Sequence, residues 1–285
     1  MHFRPEQIEI AKRLTLGATV YQGYFLRDAL FRDQFKDNYK SLVCFIQNYA
    51  YERQGAAAAY PIVAEMVIEK LFHGRMRLVT INHVKEAWKT CKQIARKEFN
   101  DLELNESHNP MNSDKGVLAV MATKRISNIS LHTKDLIKGD ETRKAHSLIK
   151  STRGIGPKIA SFYLRDIAYL GNLSERKIKD QYYLQPIDTW LEQSLTIIFG
   201  DEVPTELTQK QKIIVELCEQ ADCSPIAFNQ GAWVLGSQIA GDFNTFQKIA
   251  KGSDAKAIIE KHISTKREYV HQVEKIVDKL ADQSS

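Results

Sequence analysis

The stretch RGIGPKIA, residues 153–160, places two glycines around one aliphatic residue and follows them with a proline, a lysine and a small residue. Glycine allows positive φ and the close approach of another backbone, and Pro157 suits the first turn of a helix. Apolar residues at helical spacing precede and follow the stretch. The pattern therefore predicts a helix, a tight turn and a second helix over residues 144–164, with Ile155 anchoring the turn inward.

Helical periodicity continues along nearly the whole chain, and runs with strand alternation are short. We predict an all-α fold, with loops where glycine, proline and asparagine cluster. The final helical stretches are predicted at Asp254–His262 and Lys266–Ala281.

Bulk composition is that of an ordinary globular protein, with 285 residues, 43% hydrophobic and 26% charged. A long apolar run and a signal-peptide core are both missing, so we expect an intracellular protein that does not enter a membrane. The net charge is +5, but residues 143–180 alone contain nine Lys and Arg against three Asp and Glu, a net +6. Such a concentration is typical of a nucleic-acid site, although a solvated basic face is the alternative.

The hairpin has a chemical use that fits this charge. Amides at the start of its second helix would point outward, where phosphate oxygens accept their hydrogen bonds. This pattern indicates a sequence-independent contact with the DNA backbone, which positions the protein without recognising particular bases. The residues expected to contact the backbone are Arg153, Gly154, Ile155, Gly156 and, further along the chain, Thr189. Lys158 either contacts phosphate in the same way or acts in catalysis.

The segment of residues 186–190 carries a lone carboxylate. Asp188 stands after a proline and an apolar residue at the threshold of a helix, within Pro186-Ile187-Asp188-Thr189-Trp190. With residues 154–160 and Phe228-Asn229-Gln230-Gly231-Ala232-Trp233, this segment resembles the helix-hairpin-helix DNA glycosylase superfamily, which includes endonuclease III and the 8-oxoguanine glycosylases. The resemblance covers roughly Tyr39 to Gly241.

The resemblance implies a base-excision DNA repair enzyme with glycosylase and AP-lyase activity. Asp188 matches the essential aspartate, and Lys158 matches the nucleophilic lysine of the bifunctional members. A carboxylate stabilises the positive charge that develops at C1′ of the sugar, and a neutral amine attacking C1′ gives a Schiff base that permits β-elimination. The substrate would be double-stranded DNA with a damaged base or an abasic site, and the target base would be flipped out of the stack.

The chain departs from the family pattern in two places. The connection from Lys158 to Asp188 is longer, and the extra residues around Gly171–Tyr183 form either a DNA-facing loop or a solvated insertion. The four-cysteine iron–sulfur motif is also missing, since Cys44, Cys91, Cys218 and Cys223 do not have its spacing. We therefore expect no iron–sulfur cluster, which favours an 8-oxoguanine type of substrate. No side-chain metal site is expected, and the family suggests only Na⁺ or K⁺ at the hairpin backbone.

The expected architecture is one glycosylase unit, a monomer of two helical lobes with a DNA-binding cleft between them. Residues 25–165 would form the lobe that carries the hairpin, and residues 1–24 with 166–285 would form the other. Gln54 is the candidate wedge that fills the gap left by the flipped base, although its segment also fits an ordinary interhelical loop. Gln230 and Trp233 are candidates for the base pocket, with packing in the core as the alternative.

Two competing interpretations remain open at this point. One is a non-catalytic protein that uses the hairpin as a DNA clamp. The other is a monofunctional DNA glycosylase in which Lys158 contacts only phosphate. All three interpretations predict salt-dependent DNA binding, and only the enzymes require Asp188.

Overall fold

The computed structural model describes residues 2–51, 58–100, 102–105 and 109–282, with the backbone alone described for 272–273 and 275–282. Every regular element within these ranges is helical and none is a strand, which confirms the all-α prediction. The α-helices are α1 (Pro5–Thr15), α2 (Ala18–Val20), α3 (Ala29–Asp33), α4 (Asn38–Phe45), α5 (Ala59–Phe72), α6 (Ile81–Glu98), α7 (Val117–Lys124), α8 (Ile129–Lys138), α9 (Thr142–Lys150), α10 (Pro157–Leu170), α11 (Thr189–Phe199), α12 (Leu207–Gln220), α13 (Pro225–Trp233), α14 (Phe243–Lys251) and α15 (Ala255–Asp282).

Short helical turns of other types connect these elements. Turns of 3₁₀ helix cover Glu175–Lys177, Gln181–Leu184 and Gly200–Glu202, and π-helical turns cover Tyr21–Phe25, Ile46–Ala50 and Val234–Ala240.

Several helix starts follow from local side-chain chemistry. A side-chain oxygen just before the helix accepts a hydrogen bond from a first-turn amide, which has no partner within the helix itself. Proline stands at the first position of α1, α10 and α13, where its missing N–H costs nothing. The residues whose side-chain oxygens accept from a first-turn amide are Asp28, Asp37, Thr80, Asn128, Ser224 and Asp242.

The chain divides into two compact units, of which the first contains residues 22–188 and 206–215 and is called here the hairpin unit. Its core surrounds α10. Tyr163 of that helix is fully buried, and its hydroxyl lies 3.0 Å from Oγ of Ser130 on α8. The Tyr163 ring also meets the rings of Phe45 and Tyr49 edge-on, with centroids 4.9 and 5.0 Å apart. These contacts hold the second helix of the hairpin firmly in the core.

A buried ion pair strengthens the same helix. Nε of Arg165 donates to Oδ1 of Asp166 at 2.9 Å, and the hydroxyl of Tyr49 donates to Oδ2 at 3.1 Å. Both charged side chains are almost fully buried. Because the buried charges of Arg165 and Asp166 cancel, the net charge of +6 in residues 143–180 is carried by other side chains.

The second unit contains residues 1–21, 189–205 and 216–285 and is called here the terminal unit. Helix α13 is buried against α1, α2 and α11. A Cβ placed at Gly231 of α13 would overlap the carbonyl oxygen of Leu14 in α1, so the missing side chain is what allows these helices to approach. Similarly, Gly236 lies directly against the ring of Trp190, which also meets Phe246 edge-on at 5.4 Å.

Two features differ from the sequence-based expectations. Residues 22–24, 166–188 and 206–215 group with the hairpin, whereas the prediction placed them in the other lobe. In addition, α15 is one continuous helix through residues 263–265, where the sequence suggested a break between two helices. The physical reason is local, because the Thr265 hydroxyl donates to the carbonyl of Lys261 and is satisfied within the helix.

Across the described part of the chain, no helix combines the length and apolar character needed to cross a membrane. Nor do these residues include a group of three or more His, Cys, Asp or Glu side chains arranged to hold a metal ion. Cys44, Cys91 and Cys218 are buried and Cys223 is half-buried, and none of these four residues forms a disulfide. Burial raises the pKa of Cys91 to about 12, so this thiol is protonated at neutral pH.

Candidate nucleic-acid interface

The predicted helix–turn–helix is present between α9 and α10. The Ile155 amide donates to the carbonyl of Thr152 at 3.1 Å, closing the turn, and Gly154 adopts φ +82°. A residue with a Cβ would be strained in this left-handed conformation. Gly156 has an ordinary φ of −87°, and a Cβ added there would meet nothing within 4 Å among the described residues. Gly154 is therefore needed for the bend, while Gly156 leaves open space in front of the start of α10.

The turn is anchored to the core on its inner side. Ile155 is buried as predicted, and Ala160 of α10 is fully buried. Nε2 of His146 on α9 donates to the carbonyl of Pro157 at 3.2 Å, which joins the first helix of the hairpin to the first turn of the second. Burial lowers the pKa of His146, as does the charge of Lys150, while the carbonyl of Pro157 acts in the opposite direction. The imidazole therefore favours its neutral form.

A neighbouring loop supports the turn from outside. The Arg153 amide donates to the carbonyl of Lys115 at 2.7 Å, and its guanidinium lies 3.7 Å from the carboxylate of Asp114. Oδ1 of Asn112 accepts from the amides of Asp114 and Lys115, which stiffens this loop. Nε of Arg153 is buried without an acceptor among the described residues. Arg153 thus has donor capacity left beyond its long contact with Asp114.

The two predicted catalytic residues both belong to the hairpin unit. Lys158 is the second residue of α10, and its side chain is exposed. None of the described carboxylates lies within ion-pair distance of its ammonium group. Asp188 is half-buried at the residue before α11, after the buried run 184–187. Thr189, the first residue of α11, is exposed.

The surface of residues 143–180 is basic. Seven of the nine lysines and arginines counted in the sequence have exposed side chains, and Arg153 is half-buried. Only Arg165 is withdrawn, in its pair with Asp166. The exposed members are Arg143, Lys144, Lys150, Lys158, Arg176, Lys177 and Lys179.

The insertion between α10 and α11 folds back on the hairpin. Its second 3₁₀ turn, Gln181–Leu184, packs against α9 and α10, and Ile178 and Leu184 are buried. The ring of Tyr183 lies 4.8 Å from that of His146, and the ring of Tyr182 lies 4.5 Å from that of Tyr183, each pair tilted by 33°. Nζ of Lys212 on α12 lies 5.3 Å over the Tyr182 ring. We call this row of His146, Tyr183 and Tyr182 the ring ladder.

A buried polar cluster lies next to the segment that leads to Asp188. Nε2 of Gln211 donates to the backbone carbonyl of Gln185 at 2.8 Å and approaches Oγ of Ser161 on α10 at 3.4 Å. The side-chain amide of Gln185 is fully buried, and neither of its polar atoms has a hydrogen-bond partner in the described structure. The cluster connects the approach to Asp188 with the hairpin's second helix.

The remaining predicted residues are placed elsewhere. Gln54 lies outside the described residues. Gln230 and Trp233 lie on α13 in the terminal unit, where Gln230 is fully buried and Trp233 is half-buried. The Trp233 ring meets Tyr21 edge-on, with centroids 5.6 Å apart. Their proposed contact with a flipped base stays a prediction.

The ring ladder and the Gln185–Gln211 cluster were not predicted from the sequence. The signal for the ladder was present as two adjacent tyrosines in the basic insertion, but the contribution of His146 depends on how the insertion folds. Gln185 and Gln211 are separated by 26 residues, and nothing in their local sequence links them.

Comparison of the chain with protein-family models, with curated proteins and with solved structures finds no match. The functional assignment therefore rests on the residues themselves.

Proposed function

We propose that the protein is a DNA glycosylase with AP-lyase activity that acts on double-stranded DNA. The observation that carries this proposal is the exposed Lys158 amine in the first turn of α10, directly after an open glycine turn. Amides at a helix start attract phosphate oxygens, and the exposed lysines and arginines around the turn add favourable charge. A turn that grips DNA in this way would hold the amine beside the sugar–phosphate backbone.

The chemistry assigns one role to each of the two residues. Lys158 attacks C1′ of the damaged nucleotide and the base leaves, giving a Schiff base between Nζ and the opened sugar. Removal of a C2′ proton then expels the 3′ phosphate by β-elimination, and water releases the lysine. Asp188 stabilises the cationic sugar while the base departs and helps to remove the proton of the attacking amine.

The proposed substrate is an oxidised base, with 8-oxoguanine as the first choice. This choice depends on the family resemblance and on the cysteines, which do not have the spacing of the iron–sulfur motif. The proposed enzyme works as a monomer inside the cell and takes no organic cofactor. Na⁺ or K⁺ would bind to backbone oxygens of the hairpin.

A non-catalytic DNA clamp is the second candidate. The openness of the turn at Gly156 favours it as much as it favours the enzyme, because backbone gripping requires no amine chemistry. A monofunctional glycosylase lies between the two, with Asp188 essential and Lys158 needed only for phosphate contact.

Borohydride trapping separates these candidates. The protein is incubated with an 8-oxoguanine duplex and with an abasic-site duplex, and a covalent protein–DNA adduct is measured after reduction. We expect an adduct that is lost in Lys158→Gln and kept in Lys150→Gln, which removes one exposed charge from the end of α9. An adduct that survives in Lys158→Gln would show that another amine is the nucleophile.

Base release measured separately tests the carboxylate. We expect Asp188→Asn to lose most of its base removal, while Asp135→Asn, an exposed position on α8, keeps it. DNA binding without adduct or base release in the unmodified protein would favour the clamp.

A further inference from the structure

The ring ladder is an ordered aromatic surface attached to the hairpin. It begins at His146, which is buried and fixed by its hydrogen bond to Pro157, and it ends at the half-buried Tyr182. The neighbouring rings are 4.8 and 4.5 Å apart, which is stacking distance. Since Tyr182 is already held against Tyr183, stacking of a further flat ring on Tyr182 would cost the protein little conformational freedom.

The geometry of the insertion keeps Tyr182 in this place. The Tyr183 amide donates to the carbonyl of Asp180 at 3.0 Å, and Asp180 itself adopts φ +54°. Burial raises the pKa of Tyr182 to about 12, and the neighbouring phenol of Tyr183 acts in the same direction. Tyr182 is thus held beside Tyr183, with the two ring centroids 4.5 Å apart.

The charges around the Tyr182 ring suit a nucleotide. Nζ of Lys212 lies over its face, and the hydroxyl feels the negative charge of Asp180 as well as the positive charge of Arg143. Lys177 and Lys179, which precede it on the same insertion, are exposed. A flat aromatic face with cations around it matches a base on one side and its phosphates on the other.

We infer that the ring ladder is a stacking site for one unpaired base of single-stranded DNA that adjoins duplex held by the hairpin. A paired base inside a duplex has both faces covered by its neighbours, whereas an unpaired base beside the duplex presents a free face to Tyr182. Lys212 is exposed and has a flexible stem, so its ammonium can leave the ring and contact the phosphate of the stacked nucleotide. This inference rests on the proposed function only in taking DNA as the ligand of the hairpin.

The test compares two labelled duplexes that differ only at one end, one blunt and one carrying a short single-stranded thymidine overhang. Binding of each is measured by fluorescence anisotropy at one fixed salt concentration, because backbone contacts depend strongly on salt. Base–aromatic stacking of ordinary strength predicts that the overhang duplex binds about tenfold more tightly. We expect Tyr182→Ala to remove this preference and Tyr182→Phe to keep it.

Tyr24→Ala is the matched control. Tyr24 is 64% exposed and has the guanidinium of Arg27 5.4 Å over its ring, but it stands outside the ladder. We expect this variant to keep the overhang preference. Equal binding of the two duplexes by the unmodified protein, or a preference that survives in Tyr182→Ala, would overturn the inference.

A second measurement decides the matter if Tyr182→Ala does not fold. With 2-aminopurine in the overhang, stacking on Tyr182 quenches its fluorescence when the unmodified protein or Tyr182→Phe binds. Unquenched fluorescence in the bound complex would overturn the inference without any alanine variant.

The outcome is separate from that of the catalytic proposal. Lys158→Gln should keep the overhang preference while it loses the borohydride adduct. An overhang preference without any adduct in the unmodified protein would support the stacking site and contradict the lyase activity. An adduct without an overhang preference would support the lyase activity and contradict the stacking site.

Discussion

At Gly156, in the hairpin turn, an added methyl group would meet none of the described residues, whereas at Gly231, in α13, it would overlap the backbone of α1. The two glycines therefore have opposite relations to their surroundings. Gly231 is needed for the protein's own packing, because two helix backbones meet where a side chain would stand. Gly156 supports nothing in the described structure that a side chain would displace. Gly23 is equally open, so the space at Gly156 gains meaning only through the proposed function, which would place a phosphate there.

Gly231→Ala should give the largest change in this comparison. The new methyl group would have to displace the carbonyl of Leu14, and backbone moves less readily than a side chain. We expect the free energy of unfolding to fall by about 3 kcal/mol or more, measured by urea denaturation. Gly23→Ala, where an added Cβ has no neighbour within 4 Å, is the control and should be close to neutral. A stable Gly231→Ala protein would remove the contrast between the two regions.

Gly154→Ala should have an intermediate effect. Its φ of +82° costs an L-residue about 1–2 kcal/mol, and this loss should appear in the free energy of unfolding. Gly74→Ala carries a similar strain at φ +71° in a turn after α5 and serves as the control. We expect both variants to lose comparable stability, and only Gly154→Ala to lose affinity for duplex DNA. Equal DNA binding by the two variants would argue against the hairpin as the grip.

The pH dependence of stability tests the role of His146, which joins the two helices of the hairpin through its hydrogen bond to Pro157. His146 has a lowered pKa in the folded protein, so below its ordinary value of 6.5 the unfolded chain binds a proton that the folded chain does not. Its contribution to stability is fully present above pH 6.5 and is lost as the pH falls through the lowered folded pKa. We expect this loss to disappear in His146→Gln, measured as thermal unfolding temperature against pH. An unchanged pH profile in the variant would show that His146 does not titrate as its burial indicates.

Gly156→Ala should have the smallest effect on stability and a clear effect on DNA binding. The position has an ordinary φ and free space, so the loss should be about 0.5 kcal/mol, which is typical of a small change at a helix cap. Affinity for duplex DNA should nevertheless fall several-fold, because the methyl group occupies the space that a phosphate would enter. Anisotropy titration against the Gly23→Ala control measures this. Full affinity in Gly156→Ala would place the DNA contact elsewhere.

Much of the fold could be predicted from local patterns. The helix–turn–helix over residues 144–164, the burial of Ile155 and the all-α class each depend on periodicity, glycine and proline, which act within a few residues of themselves. The continuous α15 could not be predicted in the same way. Its polar residues at 264–265 suggested a break, yet the helix continues through them and the Thr265 hydroxyl donates back to its backbone.

The candidate site likewise combines features that local spacing predicts with features that depend on tertiary contacts. Lys158 and the two hairpin glycines were identified because their spacing along the chain is itself the motif. Arg165 looked like part of the basic surface, but its burial beside Asp166 depends on how α10 enters the core. The ring ladder was missed as a unit because His146 and Tyr183 are far apart in the chain and meet only when the insertion folds back.

The amino-acid order thus specified the features that arise from neighbours within one or two turns: which segments are helical, where they begin, and where a backbone can bend. It also specified the residue types available for chemistry. The folded chain decided which of those residues are exposed and which are paired, and which glycines keep helices together. Burial and stacking arise from contacts between distant segments, and such contacts leave little trace in local spacing.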